Sequence, residues 1–586
     1  MKQPSRTLLA AAVLAVATPV VLLAPPAGRA PASVAPITAA TPTPAHAPDL
    51  FQSLLASSQD RGPAPATRRV SLLLLLKDPA AAREQADLAA MYNPRSPRYG
   101  HYMTLAQYQA TYGPSVASVN RVKGILKGAG LTVRWQKGDD WLTVAGPVRR
   151  IEGTFGASVH LYTAPNGVRY DASARDPRPP ATLRPLIAGI SHISSYVQPR
   201  LRARASRADA SGLSPAGLLA AYDMTPLQQR FHFSGAGETV AFFEIDGYKQ
   251  ADLDAYTMRY HLPAIHPVIA SGPRLSNVEG ETEMDLEVVH AIAPYAKLVL
   301  YNFDIQAAGQ AATSDADYSN SFLGPQTALI NGSKGLVISQ SWGRCDAIQG
   351  TAVAQAYSNA YFKGVALGET DFVASGDSGA YECLNTAKDG TPPSATYVTV
   401  GFPSALPYVT SVGGTRLSVD GRGNWSNETV WEGPAETVGS GGGLSYYFSR
   451  PSWQQGPGVL NQYSNGKRET PDVAADSDPA TGVDTYTGGS RGNGGGTSQA
   501  APIWAGMTVL INQYLKSNGL KPVGFVTPAL YALAARSQAH PPFHDVTVGG
   551  NLAYPATPGY DMATGLGTPD AWNLAQDLAT YERSGH

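Results

Sequence analysis

Short apolar segments alternate with helical patterns through the second half of this 586-residue chain, and this alternation limits the possible folds more than any other feature. The apolar segments lie at 240–243, 297–301, 336–339 and 372–375, and helical patterns lie at 249–261, 282–293 and 353–363. Strands that alternate with helices predict an α/β domain, with a mostly parallel sheet and helices on both of its faces. Binding and chemistry are expected at the carboxyl ends of such strands.

The first half of the chain has a different pattern, in which short strands and short helices follow one another. An apolar strand candidate at 70–76 precedes an alternation that continues to residue 170. This pattern predicts a compact α+β domain over residues 67–197, in front of a second domain over residues 215–586. Residues 198–214 carry Arg200, Arg202, Arg204 and Arg207 without apolar periodicity, which predicts an exposed basic linker and a natural processing site.

Residues 1–30 have the pattern of a secretory signal. Lys2 and Arg6 form a positive start, and an apolar run from 8 to 23 follows, interrupted by Pro19. The run is too short for a comfortable membrane span, although an uncleaved anchor is the alternative. Residues 31–66 continue as a low-complexity segment rich in proline and alanine. We therefore expect a secreted, extracellular protein with no membrane attachment after processing.

The charge is balanced overall but divided along the chain. The 44 lysine and arginine residues nearly cancel the 45 aspartate and glutamate residues. Residues 1–207 hold 25 basic and 10 acidic side chains, which leaves 19 basic and 35 acidic side chains in residues 208–586. An acidic second half argues against nucleic-acid binding, and the opposite signs suggest that the basic half is a partner of the acidic half.

The sharpest local signal is a serine that follows a glycine run. Residues 494–502 read Gly-Gly-Gly-Thr-Ser-Gln-Ala-Ala-Pro, and an apolar helical pattern continues from 503 to 515. Glycines allow a substrate backbone to approach, and a helix N-terminus favours developing negative charge, so Ser498 is suited to nucleophilic attack. The alternative is an ordinary serine N-cap after a glycine loop.

Histidine does not provide an obvious general base, because none of the 11 histidines lies in a His-Gly context, and His290 in a helical pattern is interpreted as structural. Glu281 and Asp285 lie one turn apart on one face of that predicted helix. Two neighbouring carboxylates repel each other, so one should keep its proton at a raised pH. Glu283 and Glu287 form a second pair that we expect to be solvated. A chance acidic helix start is the alternative.

Two further polar segments follow predicted strands. Residues 375–379 read Ser-Gly-Asp-Ser-Gly and place Asp377 at the end of one strand, while residues 339–343 read Ser-Gln-Ser-Trp-Gly at the end of another. An aspartate between glycines at this position is either a turn residue or a site residue.

Taken together, these segments resemble the sedolisin, or serine-carboxyl peptidase, family, with the layout of its kumamolisin-like precursors. The resemblance runs from residue 72 to the C-terminus and includes Pro-Asp-Val-Ala at 471–474, Ser-Pro-Arg-Tyr-Gly at 96–100 and Gly-Thr-Phe-Gly at 153–156. It implies a subtilisin-like catalytic domain that follows a ferredoxin-like α+β activation prodomain.

The resemblance also implies the roles of individual residues. Ser498 would be the nucleophile, Glu281 its general base and Asp285 the partner that orients Glu281. Asp377 would be the oxyanion-hole residue, because a protonated carboxyl group can donate a hydrogen bond to an oxyanion. A glutamate base remains useful at low pH, where an imidazole is already charged. Positions that extend the carboxylate network in kumamolisin-like members are matched by Glu244 and Trp342.

A calcium site near the C-terminus of the family is matched by residues 543–546 and 559–567. The implied ligands of one Ca²⁺ ion are hard oxygen donors, namely the side chains of Asp545 and Asp561 and the carbonyl groups of Val546, Thr557 and Gly559. Thr557 stands where a glycine is usual, a tolerable departure because only its carbonyl group would bind. Two unrelated turn aspartates are the alternative.

Cys345 and Cys383 are the only cysteines of the chain. Both lie in predicted loops at the carboxyl ends of strands that we expect to be neighbours. We therefore predict a disulfide that braces the rim of the active site.

The combined interpretation is a secreted, acid-acting serine-carboxyl endopeptidase that cuts protein or peptide substrates as a monomer. It would be made as a zymogen that its own prodomain inhibits and that processes itself. The alternatives are a tripeptidyl-peptidase of the same family, an enzyme with a subtilisin-type triad, and a non-catalytic secreted binding protein that keeps the fold.

Overall fold

A computed structural model of the chain describes residues 45–46, 50–165, 167–196, 212–305, 307, 315–333, 336–383, 397–433, 438–536 and 540–584. The predicted signal segment at 1–30, residues 31–44 and 47–49 of the proline- and alanine-rich segment, residue 197, and residues 198–211 of the basic linker lie outside these ranges. Among the helices of the described ranges, none combines the length and the apolar character that crossing a bilayer requires.

The first domain contains antiparallel sheets and short helices. Its helices are α1 Leu50–Ser57, α2 Glu84–Tyr92, α3 Leu105–Thr111, α4 Val116–Gly128 and α5 Val148–Phe155. The strands up to residue 190 are β1 Ala45–His46, β2 Gln59–Pro63, β3 Arg69–Leu76, β4 Thr132–Arg134, β5 Trp141–Pro147, β6 Val159–Thr163, β7 Arg169–Ser173 and β8 Ile187–Ile190. One sheet has the order β4-β5-β3-β8, which is the βαββαβ arrangement of a ferredoxin-like domain, and a second has the order β2-β6-β7.

Helix α1 and strand β2 lie within the proline- and alanine-rich segment at 31–66. Both lie before residue 67, yet β2 pairs with β6 in antiparallel register, with Gln59 opposite Thr163. Four of the five residues of β2 are exposed, so the strand shows no apolar alternation. The sequence pattern therefore could not distinguish it from an irregular segment.

The second domain is built around an eight-stranded sheet. Its helices are α6 Pro215–Ala221, α7 Gln250–Tyr260, α8 Glu281–Ile292, α9 Asp315–Ser333, α10 Thr351–Ala366, α11 Thr497–Ser517, α12 Thr527–Ala534 and α13 Ala571–Arg583. Its strands are β9 Thr239–Glu244, β10 Val268–Ser271, β11 Lys297–Asn302, β12 Val337–Gln340, β13 Arg344–Cys345, β14 Thr370–Ala374, β15 Tyr397–Val398, β16 Gly401–Phe402, β17 Thr410–Val419, β18 Trp425–Val430, β19 Gly443–Ser449, β20 Lys467–Thr470, β21 Val473–Asp476, β22 Asp484–Thr487, β23 Ser490–Asn493, β24 Phe543–His544 and β25 Thr568–Pro569. The sheet has the order β10-β11-β9-β12-β14-β17-β18, with β21 also paired to β17, and only the β17–β18 pair is antiparallel within it.

Helices cover both faces of this sheet, as the alternation predicts. Val240 and Phe242 of β9 belong to the apolar cluster that includes α8 and α11, whereas Ala241 and Phe243 belong to another cluster that includes Leu329 of α9. Successive side chains of a strand point to opposite faces, so the two sets of helices lie on opposite sides. The parallel register of β9, β12 and β14 brings their carboxyl ends to one edge of the sheet.

Strand β3 shows how the first domain meets the second. Leu72 and Leu74 lie in the core of the first domain, whereas Leu73 and Leu75 join an apolar cluster with residues of α10. An uninterrupted leucine run is typical of a strand that is buried on both faces. The first domain therefore packs its sheet directly on a helix of the second domain.

At the contact between the two domains, the distribution of charge is the reverse of that between the basic first half and the acidic second half of the chain. Lys363 of α10 is buried beside Asp139 and Asp140 of the first domain, and both carboxyl groups counteract the lowering of the Lys363 pKa that burial causes. The Lys521 ammonium group also donates a hydrogen bond to the carbonyl oxygen of Tyr99, at 3.1 Å. Cations of the acidic half thus face polar groups of the basic half, so the net charges do not describe the contact.

Candidate active site

Helix α11 places Ser498 in its first turn, at the edge of the sheet where β12 ends. The side chain is buried, and its hydroxyl group lies 3.4 Å from the carbonyl oxygen of Ser341. The Ser341 hydroxyl group in turn lies 3.2 Å from the carbonyl oxygen of Ser498. These reciprocal contacts tie the start of the helix to the end of the strand.

Glu281 is the first residue of α8 and is buried beside Ser498. Neither of its carboxylate oxygens accepts a hydrogen bond from a described residue. Burial raises the pKa of Glu281 well above its ordinary value, the Ser498 hydroxyl group opposes this increase, and the carboxyl groups of Glu244 and Asp377 add to it by repulsion. A raised pKa makes the ionised carboxylate a stronger proton acceptor, which suits proton transfer from a hydroxyl group.

Asp285 lies one turn farther along α8 and links Glu281 to a second carboxyl group. The Ser341 hydroxyl group lies 2.9 Å from both Asp285 oxygens. Burial raises the pKa of both Asp285 and Glu244, and the hydrogen bond between their carboxyl groups lowers the pKa of Glu244 while raising that of Asp285. Two buried carboxyl groups in contact favour a state in which the pair holds a proton.

Glu244 ends strand β9 and is held from two sides. The Trp342 indole N–H donates to Glu244 Oε2 at 2.9 Å, and the Thr282 hydroxyl group donates to the same oxygen at 3.0 Å. Both donors favour the ionised form of Glu244. Glu244 and Trp342 thus lie in direct hydrogen-bond contact.

Asp377 approaches Ser498 from the loop that follows β14. Its Oδ1 atom accepts hydrogen bonds from the Thr497 N–H, at 2.8 Å, and from the Thr497 hydroxyl group, at 3.0 Å. Its other oxygen lies against Gly496, where a Cβ atom would be 2.8 Å from Oδ2, so a side chain at this position would clash. Burial raises the pKa of Asp377, so Oδ2 is an oxygen that can carry a proton in acid.

The second carboxylate pair of α8 contradicts our expectation of solvated side chains, because Glu283 and Glu287 are fully buried. Glu283 Oε1 accepts the N–H of Lys249 at 2.9 Å, and Glu287 Oε2 accepts the N–H of Tyr486 at 2.8 Å. The segment before α7 and the β22–β23 hairpin cover the helix face that periodicity assigned to solvent. His290 hydrogen-bonds the Pro263 carbonyl oxygen at 2.7 Å, in line with a structural role.

Two polar residues of the site were not identified from the sequence. Ser341 contacts Asp285 and Ser498, and its only signal is its place before Trp342 at a strand end. Asp246 accepts hydrogen bonds from backbone N–H groups at the start of α8, including that of Glu281 at 3.2 Å. Its signal is its place two residues after Glu244, beyond the strand.

Comparisons with known proteins agree with this geometry. The family model described as "Pro-kumamolisin, activation domain" matches residues 56–196, and the subtilase family model matches residues 268–533. Kumamolisin of Bacillus sp. (strain MN-32) is 31% identical over 553 residues, which cover 89% of this chain and 93% of that protein. The chain belongs to the kumamolisin and sedolisin family of serine-carboxyl peptidases. It is therefore a peptide hydrolase with an N-terminal activation prodomain.

Other relatives in this peptidase family are more distant. Tripeptidyl-peptidase 1 of Rattus norvegicus is 27% identical over 554 residues, which cover 87% of this chain and 91% of that protein. The solved structure of Pseudomonas sedolisin complexed with two molecules of pseudo-iodotyrostatin is similar with a TM-score of 0.53 and 29% identity, and the match covers 64% of this chain and 99% of that one. The catalytic domain thus has the subtilisin-like fold that the motifs imply.

The predicted disulfide of this serine-carboxyl peptidase is present. Cys345 and Cys383 are bonded, with their Cα atoms 4.9 Å apart. Cys345 lies in β13, directly after the strand end that carries Trp342, and Cys383 follows the Asp377 loop. The bridge therefore connects the two loops that deliver Trp342 and Asp377 to the site.

The residues matched to a calcium site come together near the C-terminus. The Gly559 N–H donates to Asp545 Oδ2 at 2.9 Å, and the Thr557 N–H donates to Asp561 Oδ2 at 3.0 Å. Burial raises the pKa of Asp561 to about 7, so its carboxylate lies where a bound cation would offset the cost of charge. Among the described residues there is no cluster of three or more His, Cys, Asp or Glu side chains suited to a metal. Two carboxylates and backbone carbonyl groups fit a hard cation such as Ca²⁺.

Proposed function

We propose that this chain is the precursor of a secreted, acid-acting endopeptidase in which Ser498 is the nucleophile and Glu281 its general base. The observation that carries the proposal is the buried convergence of Ser498 with Glu281, Asp285 and Asp377 at one edge of the sheet. His290 hydrogen-bonds the Pro263 carbonyl oxygen instead of the serine, so a subtilisin-type triad has no support from this histidine.

In the first chemical step, Ser498 Oγ forms a bond to the carbonyl carbon of the scissile peptide while its proton passes to the Glu281 carboxylate. The C–O π electrons move to the carbonyl oxygen and produce an oxyanion. Glu281 then returns the proton to the leaving amine as the C–N bond breaks, which leaves an acyl group on Ser498. A water molecule then attacks the acyl carbon while its proton passes to Glu281, and Glu281 returns this proton to Ser498 Oγ as the ester C–O bond breaks and the acid product leaves.

Asp377 stabilises the oxyanion in this mechanism. Its Oδ1 atom accepts the hydrogen bonds from Thr497. Oδ2 is therefore left to carry a proton and to donate a hydrogen bond to the oxyanion. A carboxyl group can do this only while it is protonated, and burial raises the pKa of Asp377 to extend the protonated range. Activity then requires a protonated Asp377 and an ionised Glu281, so we expect a bell-shaped pH dependence that rises as Glu281 ionises and falls as Asp377 loses its proton.

Asp285 serves as the proton reservoir next to the base. Because its proton is shared with Glu244, Asp285 stays neutral beside an ionised Glu281 and limits the repulsion between them. The Trp342 N–H and the Thr282 hydroxyl group stabilise the charge on Glu244. The network thereby allows one negative charge on Glu281 in a site that holds several buried carboxyl groups.

Secretion and self-processing complete the proposal. The signal-like pattern at 1–30 supports export, and the arginine-rich segment at 198–214 lies between the two domains in an exposed type of sequence. The sheet of the prodomain packs on α10 of the catalytic domain, which supports an intramolecular inhibitor. We propose that acid destabilises the prodomain itself and that Ser498 then cuts the linker.

The test uses the purified precursor at pH 4, followed on a gel. We expect a mature product that begins within 198–214 from the wild type and none from Ser498→Ala. Ser517→Ala is the matched control, because this exposed serine lies at the end of the same helix, and it should mature at the wild-type rate. Equal maturation of Ser498→Ala in pure solution would show that Ser498 is not the nucleophile for processing.

We also propose that Asp545 and Asp561, with the carbonyl groups of Val546, Thr557 and Gly559, hold one Ca²⁺ ion. The ion would supply fixed positive charge that stabilises the C-terminal loops and takes no part in the chemistry. Added Ca²⁺ should raise the melting temperature of the EDTA-treated protein, and the Asp545→Asn/Asp561→Asn variant should lack this increase. An equal increase in the variant would exclude these ligands.

A tripeptidyl-peptidase activity is the second candidate, because the chain is 27% identical to tripeptidyl-peptidase 1 of Rattus norvegicus over most of both proteins. A long peptide with a blocked N-terminus separates the two activities. An endopeptidase cuts it internally, whereas a tripeptidyl-peptidase leaves it intact and releases three-residue fragments only from the unblocked form. If neither peptide is cut at any pH, the non-catalytic binding protein becomes the better interpretation.

A further inference from the structure

The helix that carries Glu281 begins without a side-chain cap of its own. The residue before it is Gly280, with a φ angle of 107°, and no cap hydrogen bond comes from a side chain at that position. The first N–H groups of a helix have no partners within the helix, and leaving them unpaired in a buried place is costly. The start of α8 is buried, so its N–H groups need acceptors from elsewhere in the fold.

Asp246, two residues beyond the end of β9, supplies these acceptors. Its carboxylate accepts the N–H of Glu279 at 2.9 Å, that of Gly280 at 3.0 Å and that of Glu281 at 3.2 Å. Its carbonyl oxygen accepts the Thr282 hydroxyl group at 2.9 Å, and this hydroxyl group also reaches Glu244. One residue thus joins the end of β9 to the first turn of α8, through both its side chain and its main chain.

This arrangement bears directly on the Glu281 carboxyl group. Because Glu281 is the first residue of the helix, its side-chain position depends on how the first turn is held. The titratable groups that face Glu281 come from three elements besides its own helix, and all of them are acidic: Glu244, Asp246, Asp285 and Asp377. An ionised Asp246 therefore both orients Glu281 and repels its ionised form, which raises the pKa of Glu281.

We propose that Asp246 is a positioning residue that orients Glu281 and sets the pH at which Glu281 ionises. The proposal rests on the proposed role of Glu281 as general base. Backbone N–H donors favour the ionised form of Asp246, although burial opposes them and raises its pKa. Replacing its charged oxygen with an amide should leave an acceptor for the helix and remove the repulsion.

The experiment compares the pH dependence of kcat/KM for the mature wild type, Asp246→Asn and Asp570→Asn. Asp570 is the matched control, because its carboxylate caps α13 by accepting the Asn573 N–H at 2.9 Å, away from the acidic network. In Asp246→Asn we expect kcat/KM to increase with pH as in the wild type, but with a midpoint that is lower by about 0.5 to 1 pH unit. We also expect kcat to fall roughly tenfold with little change in KM, because the base is less well oriented. Asp570→Asn should lose stability without either change.

Each other outcome has a defined meaning. Suppose that Asp246→Asn melts cooperatively and shows the wild-type kcat and the wild-type increase of kcat/KM with pH. In that case Asp246 only stabilises the helix, and the inference is overturned. If Asp246→Asn does not fold, Asp246→Ser is measured in the same way, because serine retains an acceptor for a helix N-terminus and lacks the charge. Glu281→Gln separates this inference from the proposed function: if Glu281→Gln retains wild-type activity, the general base is wrong and Asp246 has nothing to position.

Discussion

Two buried carboxyl groups, Asp87 of the prodomain and Asp371 of the catalytic domain, are held in opposite ways. In the prodomain, Asp87 is paired with Arg98 at 2.6 Å and lies 3.3 Å from Arg83. Burial alone would raise its pKa, but the bonds from Arg98 and Tyr112 and the charge of Arg83 hold the pKa of Asp87 below its ordinary value. In the catalytic domain, burial raises the pKa of Asp371 to about 8, and its main partner is the neutral Gln340 amide at 2.6 Å.

This difference predicts opposite responses to acid. A carboxyl group with a lowered pKa stabilises the fold above its unfolded pKa, and this contribution is lost as the pH falls through the folded pKa, which for Asp87 means below about 4. A group with a raised pKa favours the fold when protonated, and the folded state is penalised as the pH rises toward the folded value, which for Asp371 means between about 4 and 8. Acid therefore removes the stabilisation that Asp87 gives to the prodomain, while it favours the protonated form of Asp371 in the catalytic domain.

The carboxyl groups of Asp139 and Asp140, at the contact between the two domains, do not have a lowered pKa as Asp87 does. Burial raises the pKa of Asp139 to about 7 and also raises that of Asp140, although Lys363 opposes both increases. These groups become exposed when the prodomain leaves, so protonation in acid favours the docked state. For the acid release proposed above, we therefore expect the first loss inside the prodomain, at the Asp87–Arg98 pair.

The largest expected effect concerns the carboxyl group that the catalytic mechanism uses in its protonated form. Asp377→Asn should lower kcat about 10²- to 10³-fold with KM nearly unchanged, because an amide is a weaker donor to the oxyanion. In the proposed mechanism, wild-type activity declines with rising pH as Asp377 loses its proton, whose pKa burial raises, so we expect no such decline in the variant. Measurements of kcat and KM from pH 3 to 8 check both points. An unchanged decline in the variant would assign it to another group.

Removal of the disulfide tests a contribution to the stability of the catalytic domain that does not depend on carboxyl groups. Cys345→Ala/Cys383→Ala removes a bridge between residues 38 apart in the chain and should lower the free energy of unfolding by about 3 kcal/mol. We expect the same loss at pH 4 and pH 7, as measured by denaturant unfolding of the mature enzyme. Chemical reduction of the wild type is the control and should give a similar loss. A loss that appears at only one pH would connect the bridge to the buried carboxyl groups.

Asp371→Asn tests the cost of a buried acid without a cation. The amide can accept the Gln340 hydrogen bond but does not ionise, so the variant should be about 2 kcal/mol more stable than the wild type at pH 8 and equally stable at pH 4. Asp254→Asn, on the exposed side of α7, is the control and should show the same small change at both pH values. A variant that is less stable at pH 8 would mean that the Asp371 carboxylate is favoured in the fold.

The smallest expected effect lies in the prodomain. Asp87→Asn removes the pair with Arg98 and should cost about 1 kcal/mol, since Arg98 is partly exposed. The precursor should then mature several-fold faster than the wild type at pH 5, because its prodomain already lacks the interaction that wild type loses only in stronger acid. Asp176→Asn, which removes an exposed pair with His192, should mature like the wild type. Equal rates for all three proteins would show that release does not begin at Asp87.

The parts of the site that could be predicted are those that depend on strand ends and helix starts. Glu281 and Asp285 lie on one face of α8 because residues one turn apart always do, and Asp377 reaches the site because parallel strands end at one edge. The burial of Glu283 and Glu287 could not be predicted from periodicity, because the segments that cover them, at Lys249 and at Tyr486, are distant in the chain.

The sequence by itself determined the alternation of strands and helices, the order of the two domains and the residues brought to the carboxyl edge of the sheet, because these follow from local periodicity and from chain connectivity. Only the tertiary structure decided which buried acids acquire cations, as Asp87 does, and which do not, as Asp371 does. It also decided that Asp246 caps α8 across a gap of 35 residues to Glu281 and that Lys363 faces acids of the prodomain. The physical reason is that the cost of a buried charge depends on its nearest partners in space, and those partners come from segments whose packing no local pattern specifies.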